Sequence, residues 1–314
     1  MPTLNYAAPS TVDEAVKLLA GASGLAKVLS GGTDLLVQLR SGRLKPELIV
    51  DTKHIPGTIG IREEAGGFVV GAATPGAVVE AHAGMNKAWP GVVEALDLIG
   101  STQIQGRCSL AGNLCNASPA ADSVPALYAA GAIAVVVGSK GRREVAVEQI
   151  PTAPGRTSLA KDEFILEFKF PPRPPHSGDA YLRFIPRTEM DIAVVGVGIS
   201  VTLDAKGVCT AARVGWARWR QRCCCSRRPL MRWLGIRSTR RHWRSWMRRR
   251  AGRASRSTTS AERSNIARRW PACWRAVWPR SPSIAQWARR KGRLTDEQAS
   301  RNHHNQWRGD RIPL

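Results

Sequence analysis

Apolar and polar residues alternate along the first 210 residues with the short periods of helices and strands. Ser10–Glu14 combines cap hydroxyls with acids three residues on, which predicts a helix that continues through AVKLLAGA. The apolar runs Ala26–Leu29 and Leu48–Val50 predict strands, and Leu35–Arg40 resumes helical spacing. Helices are also expected near residues 76–83 and 91–98. The pattern therefore predicts a fold that mixes short helices with short strands.

Three pairs of strand-like runs flank short turns and predict hairpins. Phe164–Phe170 alternates as a further strand, and Pro171–Pro175 cannot continue a ladder and is typical of a linker. We therefore expect one domain at residues 1–175 and a second that starts at residue 176. The predicted hairpins are Ile59–Ile61 with Phe68–Gly71, Ala132–Val137 with Glu144–Val147, and Ile192–Leu203 with Val208–Val214.

A long segment from Ile99 to Ser118 is rich in small and polar residues and has only a weak period. Such a loop in a compact domain is usually functional or disordered. Apolar residues within it, such as Leu110 and Ala117, favour the functional interpretation. Ser118 followed by Pro119 has the pattern of an N-cap and first helical residue, so we expect a helix to begin there.

Charge divides the chain into two unlike parts. The formal net charge is +23, but residues 1–210 contain 19 Lys and Arg against 20 Asp and Glu. Residues 211–314 contain 28 Lys and Arg against 4 Asp and Glu, with ten of the eleven Trp and no Phe or Tyr. A strongly basic chain points to nucleic acid or an anionic membrane, but here that inference concerns the last third alone.

Several classes of protein are disfavoured by the sequence. No apolar run reaches the ~18 residues needed to span a bilayer, and no basic segment precedes an apolar stretch at the N-terminus. The seven Cys form no CxxC pair and no Cys/His zinc spacing. His54, His82 and His176 are isolated, and no residue is a strong acid–base catalyst. We therefore expect a cytoplasmic protein with no membrane span, no metal of its own and no catalytic side chain.

Two glycine-rich segments carry the candidate chemistry. Val28–Leu35 places adjacent glycines between a strand and a helix, where N–H groups can bind phosphate, although a tight turn explains them too. Ser109–Asn113, followed by Ala117–Asp122, offers a hydroxyl, an amide and a carboxylate, but a capped helix is an equal alternative. Neither segment is a Walker A loop or a GxGxxG fingerprint. Together they favour a dinucleotide between two subdomains.

Three separated motifs give the chain a resemblance to a known family. SGGTDLLVQLRSG, IGSTQIQGRCSLAGNLCNASPAADSVPAL and LRFIPRTEMDIAVV resemble the FAD-binding medium subunit of the molybdenum hydroxylases, the xanthine dehydrogenase and carbon monoxide dehydrogenase family. The match covers about residues 4–215. It implies an α+β fold: a two-subdomain FAD-binding α/β domain (PCMH-like), then a small α+β C-terminal domain that is incomplete here. It also implies a complex with a molybdopterin-binding large subunit and a 2Fe-2S small subunit.

The resemblance also implies which residues bind FAD. Backbone N–H groups of the first segment would hold the pyrophosphate, the second segment would line the flavin, and two aliphatic residues would pack on its rings. Arg183 stands where the family usually has Lys, and a cation there can stabilise a reduced flavin. Cys108 and Ala111 replace glycines of the family pattern, and Gln105 replaces an arginine. The expected binding residues are Val28, Leu29, Ser30, Gly31, Gly32, Thr33, Asp34, Leu35, Ile99, Ser109, Leu110, Ala111, Gly112, Asn113, Ala117, Ser118, Asp122, Ile165, Leu166 and Arg183.

Residues 216–314 do not resemble a protein domain. Arg, Trp and Cys dominate, as in GC-rich DNA read out of frame, and Lys291 is the one basic residue after position 210 that is not Arg. When each codon is started at its third base, GWARWRQRCCCSRRPLMRW can encode LGAVAPTVLLLAEAADAL, which is similar to the family's C-terminal domain. We therefore expect one frameshift near Val214–Trp216. The second domain would then span residues 176–215, and residues 216–314 would be an out-of-frame, disordered tail.

The leading hypothesis is an FAD-containing electron-transfer subunit of a heteromeric molybdenum hydroxylase. Electrons would arrive from the 2Fe-2S clusters of the partner and leave to NAD, a quinone or oxygen, with the flavin supplying the redox chemistry. This hypothesis includes no nucleic-acid partner. Two alternatives stay open: a nucleic-acid-binding protein that uses the Arg- and Trp-rich tail, and an inactive frameshifted product.

Overall fold

The computed structural model describes residues 4–185, 187 and 190–217. The first two residues of the predicted tail, Trp216 and Ala217, are not disordered, because they continue the strand that begins at Cys209 and pair with Val197 and Gly196. The predicted tail from residue 218 onward lies outside the described residues. The helices are α1 (Val12–Gly21), α2 (Leu35–Arg40), α3 (Gly76–Ala81), α4 (Ala83–Ala88), α5 (Pro90–Asp97), α6 (Thr102–Gln105), α7 (Leu110–Cys115) and α8 (Ser123–Ala130). The strands are β1 (Asn5–Ala7), β2 (Ala26–Leu29), β3 (Leu48–Asp51), β4 (Ile61–Glu64), β5 (Gly67–Gly71), β6 (Ile133–Gly138), β7 (Gly141–Ala146), β8 (Pro151–Ala153), β9 (Arg156–Thr157), β10 (Phe164–Phe170), β11 (Ser177–Phe184), β12 (Val195–Leu203) and β13 (Cys209–Ala217).

The N-terminal part is a small parallel sheet in the order β1-β3-β2 with α1 packed against it. The predicted capping box is confirmed: Thr11 Oγ1 accepts from Glu14 N at 3.2 Å, and the Glu14 carboxylate accepts from Ser10 N at 3.0 Å. Because β2 and β3 are parallel neighbours, their carboxyl ends lie side by side, with Leu29 opposite Asp51. This edge positions the first glycine-rich segment.

A five-stranded antiparallel sheet in the order β4-β5-β10-β6-β7 forms the middle of the molecule. It contains the predicted strand Phe164–Phe170 and the second predicted hairpin, which are confirmed. The first predicted hairpin also forms, but its first strand is Ile61–Glu64 rather than Ile59–Ile61, because Glu63 and Glu64 pair with Phe68 and Gly67 instead of lying in the turn. Its apolar face packs with α5 and α8 in the main core, where Leu96, Leu127 and Phe168 are fully buried. Burial of such side chains is the main stabilising contribution to this layer.

The third sheet, in the order β11-β12-β13, packs against α5 and α8. Close approach to α8 requires glycine, since a Cβ at Gly215 would lie 2.7 Å from the Pro125 carbonyl oxygen. The predicted third hairpin is confirmed, although its first strand begins at Val195 rather than at residue 192. Before this strand, the Asp191 carboxylate accepts from Arg187 N at 3.2 Å and from Ile192 N at 2.8 Å.

Residues 99–118 are more regular than the sequence pattern indicates. They contain the short helices α6 and α7, and the expected helix start at Ser118 is wrong because α8 begins at Ser123. Ser118 instead closes a turn in which its hydroxyl accepts from Ala120 N at 3.3 Å. Ala117 just before it has a left-handed backbone, with φ of 49°.

The proline-rich segment Pro171–Pro175 connects β10 to β11 without belonging to a sheet. Side chains nevertheless join the two sides of it: Arg173 pairs with Asp179 at 2.6 Å, and Asp179 accepts from Gly91 N at 2.9 Å. β11 is therefore fixed to the preceding domain, and the boundary at residue 175 stays a prediction. No helix in the described part of the chain is both long and apolar enough to cross a membrane.

Candidate functional site

The fold brings the two glycine-rich segments into direct contact. The hydroxyls of Ser30 and Ser109 lie 2.7 Å apart in a hydrogen bond, although 79 residues separate them. Gly31 lies against the backbone of Arg107 and Cys108, where a Cβ would be 2.8 Å from the Arg107 carbonyl carbon and nearer still to its oxygen. The predicted juxtaposition of the segments therefore depends on a glycine at position 31.

The turn between β2 and α2 presents a row of unused hydrogen-bond donors. Within the described residues, the backbone N–H groups of Gly31, Gly32, Thr33 and Asp34 have no acceptor. Gly32 has a left-handed φ of 81°, which a side chain rarely adopts. Consecutive N–H groups in such a turn form a concavity that suits an anion. A pyrophosphate therefore fits this turn, which we call the cradle (residues 30–35).

The polar side chains of the second segment form hydrogen bonds within the protein. Ser109 caps α7 by accepting from Gly112 N at 3.2 Å. Asn113 Oδ1 accepts from Ser123 N at 3.2 Å and from the Ser123 hydroxyl at 2.7 Å. These bonds fix the segment beside the cradle and attach it to the start of α8.

Asp122 and Arg183 form an ion pair with each other in the structure. The family resemblance had implied a separate contact with the cofactor for each of them. Arg183 Nη1 lies 3.0 Å from Asp122 Oδ2, and the Tyr181 hydroxyl donates to Asp122 Oδ1 at 2.7 Å. Burial raises the pKa of Asp122, although Tyr181 and Arg183 oppose that shift. The Arg183 Nε–H is buried and has no acceptor among the residues described, so the cluster offers a buried donor to a further polar group.

The remaining predicted contact residues lie mostly in the interior. Ile165 belongs to the main core, whereas Leu166 on the other side of β10 belongs to the core beneath α1. Ile99 is half-buried against the main core, and Ala117 is buried. Their contacts with a flavin ring stay a prediction.

A polar cluster at the end of β3 was missed by the sequence reasoning. Asp51 is 3% exposed and accepts from the Tyr6 hydroxyl at 2.7 Å and from Lys53 Nζ at 2.7 Å. Burial acts to raise the pKa of Asp51, but the hydrogen bonds from Lys53 and Tyr6 outweigh it and leave that pKa lowered. The sequence did contain a signal for this cluster, because Asp51 directly follows the apolar run Leu48–Val50. Binding residues commonly lie at the carboxyl ends of parallel strands.

The two cysteines nearest the site are not activated thiols. Burial raises the pKa of Cys108 to about 11 and that of Cys115 to about 12, whereas reactive thiols have a lowered pKa. In the described ranges, no group of three or more His, Cys, Asp and Glu side chains could hold a metal ion.

Sequence comparison finds relatives among dehydrogenase subunits. The chain is 30% identical to the 6-hydroxypseudooxynicotine dehydrogenase complex subunit alpha of Paenarthrobacter nicotinovorans, over 68% of this chain and 72% of the relative. It is 32% identical to a xanthine dehydrogenase FAD-binding subunit of Escherichia coli O157:H7, over 64% of this chain and 69% of the relative.

Structure comparison agrees with the sequence relatives. A carbon monoxide dehydrogenase from Hydrogenophaga pseudoflava, solved without the Mo-pyranopterin moiety of its molybdenum cofactor, matches with a TM-score of 0.72 at 27% identity. The match covers 77% of this chain and 84% of that one. Residues 2–173 match the family described as the FAD binding domain in molybdopterin dehydrogenase. The chain therefore belongs to this family of FAD-binding domains, as a flavin-dependent oxidoreductase subunit.

Proposed function

We propose that this chain is the electron-transfer flavin subunit of a heteromeric molybdenum hydroxylase. It takes electrons from the 2Fe-2S clusters of a small subunit, after a molybdopterin-binding large subunit has oxidised the substrate, and passes them to NAD, a quinone or oxygen. The observation that carries the proposal is the cradle, whose four unused N–H groups face no protein acceptor among the described residues. FAD, when bound, supplies the reversible acceptance of one or two electrons.

The chain's own residues bind and orient the cofactor in this proposal. The N–H groups of Gly31 to Asp34 bind the pyrophosphate, and the Ser30–Ser109 hydrogen bond keeps the two segments at a fixed separation. Arg183 Nε donates to a polar group of the cofactor, which satisfies the buried donor left unused by the ion pair with Asp122. Because Asp122 offsets the positive charge of Arg183, the guanidinium can stay buried.

The partner subunits are proposed from the character of the relatives. One relative is named as a subunit of a dehydrogenase complex, and another from Hydrogenophaga pseudoflava, 31% identical, is named as a carbon monoxide dehydrogenase medium chain. Both names describe one chain of a larger assembly. We also propose that the protein acts in the cytoplasm.

The test is to purify the full chain and ask whether it contains flavin. The full chain is needed because Tyr181 and Arg183, beyond residue 175, complete the Asp122 cluster. A yellow protein that releases FAD on denaturation, or a stripped protein that takes up FAD stoichiometrically, supports the proposal. A colourless protein that takes up no FAD refutes it, and nucleic-acid binding with a steep salt dependence would then favour the basic-tail alternative. Reduction of the bound flavin by the 2Fe-2S partner tests the electron-transfer step.

A further inference from the structure

Lys53 contacts the backbone of the cradle from the neighbouring strand end. Its ammonium donates to the Ser30 carbonyl at 3.1 Å and to Asp51 Oδ1 at 2.7 Å. An ammonium has three N–H donors, and no third acceptor is present among the residues that the structure describes. The Lys53 side chain is 25% exposed, so the remaining donor is open to a ligand.

The position of Lys53 is fixed by groups on three strands. Asp51 is buried at the end of β3 and accepts from Lys53 N at 3.0 Å as well as from the ammonium. Tyr6 on β1 donates its hydroxyl to the other carboxylate oxygen of Asp51. Thr52 Oγ1 lies 3.4 Å from the Leu29 carbonyl at the end of β2. The turn at residues 51–53 is thereby attached to the strand end that leads into the cradle.

This attachment decides which way the first peptide of the cradle faces. In a trans peptide the C=O and N–H bonds point in opposite directions. Because Lys53 holds the Ser30 carbonyl on its own side, the Gly31 N–H points to the far side, where it has no acceptor in the described part of the chain. Glycine allows a peptide to rotate at little cost, so Gly31 and Gly32 need such an external restraint.

We infer that Lys53 is a positioning residue for the diphosphate of FAD, acting on the Ser30–Gly31 peptide and held in place by Asp51 and Tyr6. The inference rests on the proposed cofactor site and adds a residue to it. If the Ser30–Gly31 peptide is already restrained before FAD binds, the affinity for FAD is higher, because less conformational freedom is lost on binding. The effect of Lys53 is limited to the diphosphate, so the affinity for a ligand without a diphosphate does not depend on Lys53.

The experiment compares ligands that differ in the diphosphate. FAD, ADP and riboflavin are titrated into flavin-stripped full-length protein, as wild type and as Lys53→Met, by calorimetry. The dissociation constants for FAD and ADP should rise about tenfold or more in Lys53→Met, as for loss of a charge-assisted hydrogen bond, with riboflavin unchanged. Lys53→Arg, which keeps a cationic donor, should recover part of the loss. Equal weakening of FAD and riboflavin, or no weakening of FAD, would overturn the inference.

Two further variants control for the loss of a surface charge and for misfolding. Lys87→Met removes an exposed lysine on α4 and should leave all three affinities unchanged. Tyr6→Phe removes only the hydroxyl that holds Asp51, on a side chain that is 59% exposed, and should weaken FAD and ADP severalfold without unfolding the protein. If Lys53→Met fails to fold, unchanged affinities in Tyr6→Phe overturn the inference. A wild type that binds no FAD refutes the proposed function instead.

Discussion

Replacing Gly31 by Ala tests the contact on which the site is built. The added Cβ would lie 2.8 Å from the carbonyl carbon of Arg107 and 3.1 Å from Cys108 Cα. Both are backbone atoms, so neither can rotate away as a flexible side chain would. The Gly31→Ala substitution must therefore push the cradle away from the segment that begins at Ser109.

The magnitude follows from the contacts that this movement breaks. Overpacking a tight contact costs about 1–3 kcal/mol, and separation also lengthens the 2.7 Å hydrogen bond between Ser30 and Ser109, worth about 1 kcal/mol. We expect the free energy of unfolding to fall by about 2 kcal/mol. If FAD must restore the native separation at the same cost, its dissociation constant rises about 30-fold.

The assay is urea unfolding of the stripped protein combined with FAD titration, with Gly21→Ala as the matched control. A Cβ at Gly21, the last residue of α1, would meet nothing within 4 Å. Gly21→Ala should leave FAD affinity unchanged and stability equal or slightly higher. The reasoning is refuted if Gly31→Ala unfolds at the wild-type midpoint and binds FAD with wild-type affinity.

Three further predictions concern other parts of the chain. Arg183→Met leaves the Asp122 carboxylate buried without its cation and should lower the free energy of unfolding by about 3 kcal/mol at neutral pH. Because burial already raises the pKa of Asp122, stability of this variant should recover as pH falls and the carboxyl takes up a proton; a loss that is independent of pH would contradict this. Cys108 and Cys115 should resist iodoacetamide at pH 8 in the native protein, since with a pKa of about 11 only about one Cys108 thiol in a thousand is ionised. Peptide mapping that shows labelling as fast as in urea would disprove it. Sequencing the DNA across the codons for Val208–Gln221 should reveal a missing or extra base, and an unchanged reading would remove the frameshift hypothesis.

Local patterns predicted the elements whose cause is itself local. The capping box that starts α1 needs only residues within one turn, and the alternating pattern of Phe164–Phe170 is typical of a strand. Both were therefore readable from the sequence. The start of α8 was misassigned because Ser118 and Pro119 have the composition of a helix start, whereas residues 118–121 form a separate turn, in which Ala121 N donates to the Ser118 carbonyl at 3.0 Å, and the helix begins at Ser123.

Short helices were hidden from the sequence for a different reason. Helix α7 has six residues, which is below the length at which helix propensity alone is decisive. It forms because Leu110 and Leu114 are buried in the main core and Ser109 caps it while contacting Ser30. The stabilising partners come from distant parts of the chain, so a local period does not reveal them.

The sequence by itself determined the class of protein, the position of its two glycine-rich segments and the unlike composition of the last third. Tertiary structure alone decided how these residues are paired. It joined Ser30 to Ser109, Asp122 to Arg183, and Lys53 to the cradle by way of the carboxyl ends of two parallel strands. The residues of each pair lie 23 to 79 positions apart in the sequence. Buried polar groups need hydrogen-bond partners, and the fold decides which distant residues supply them.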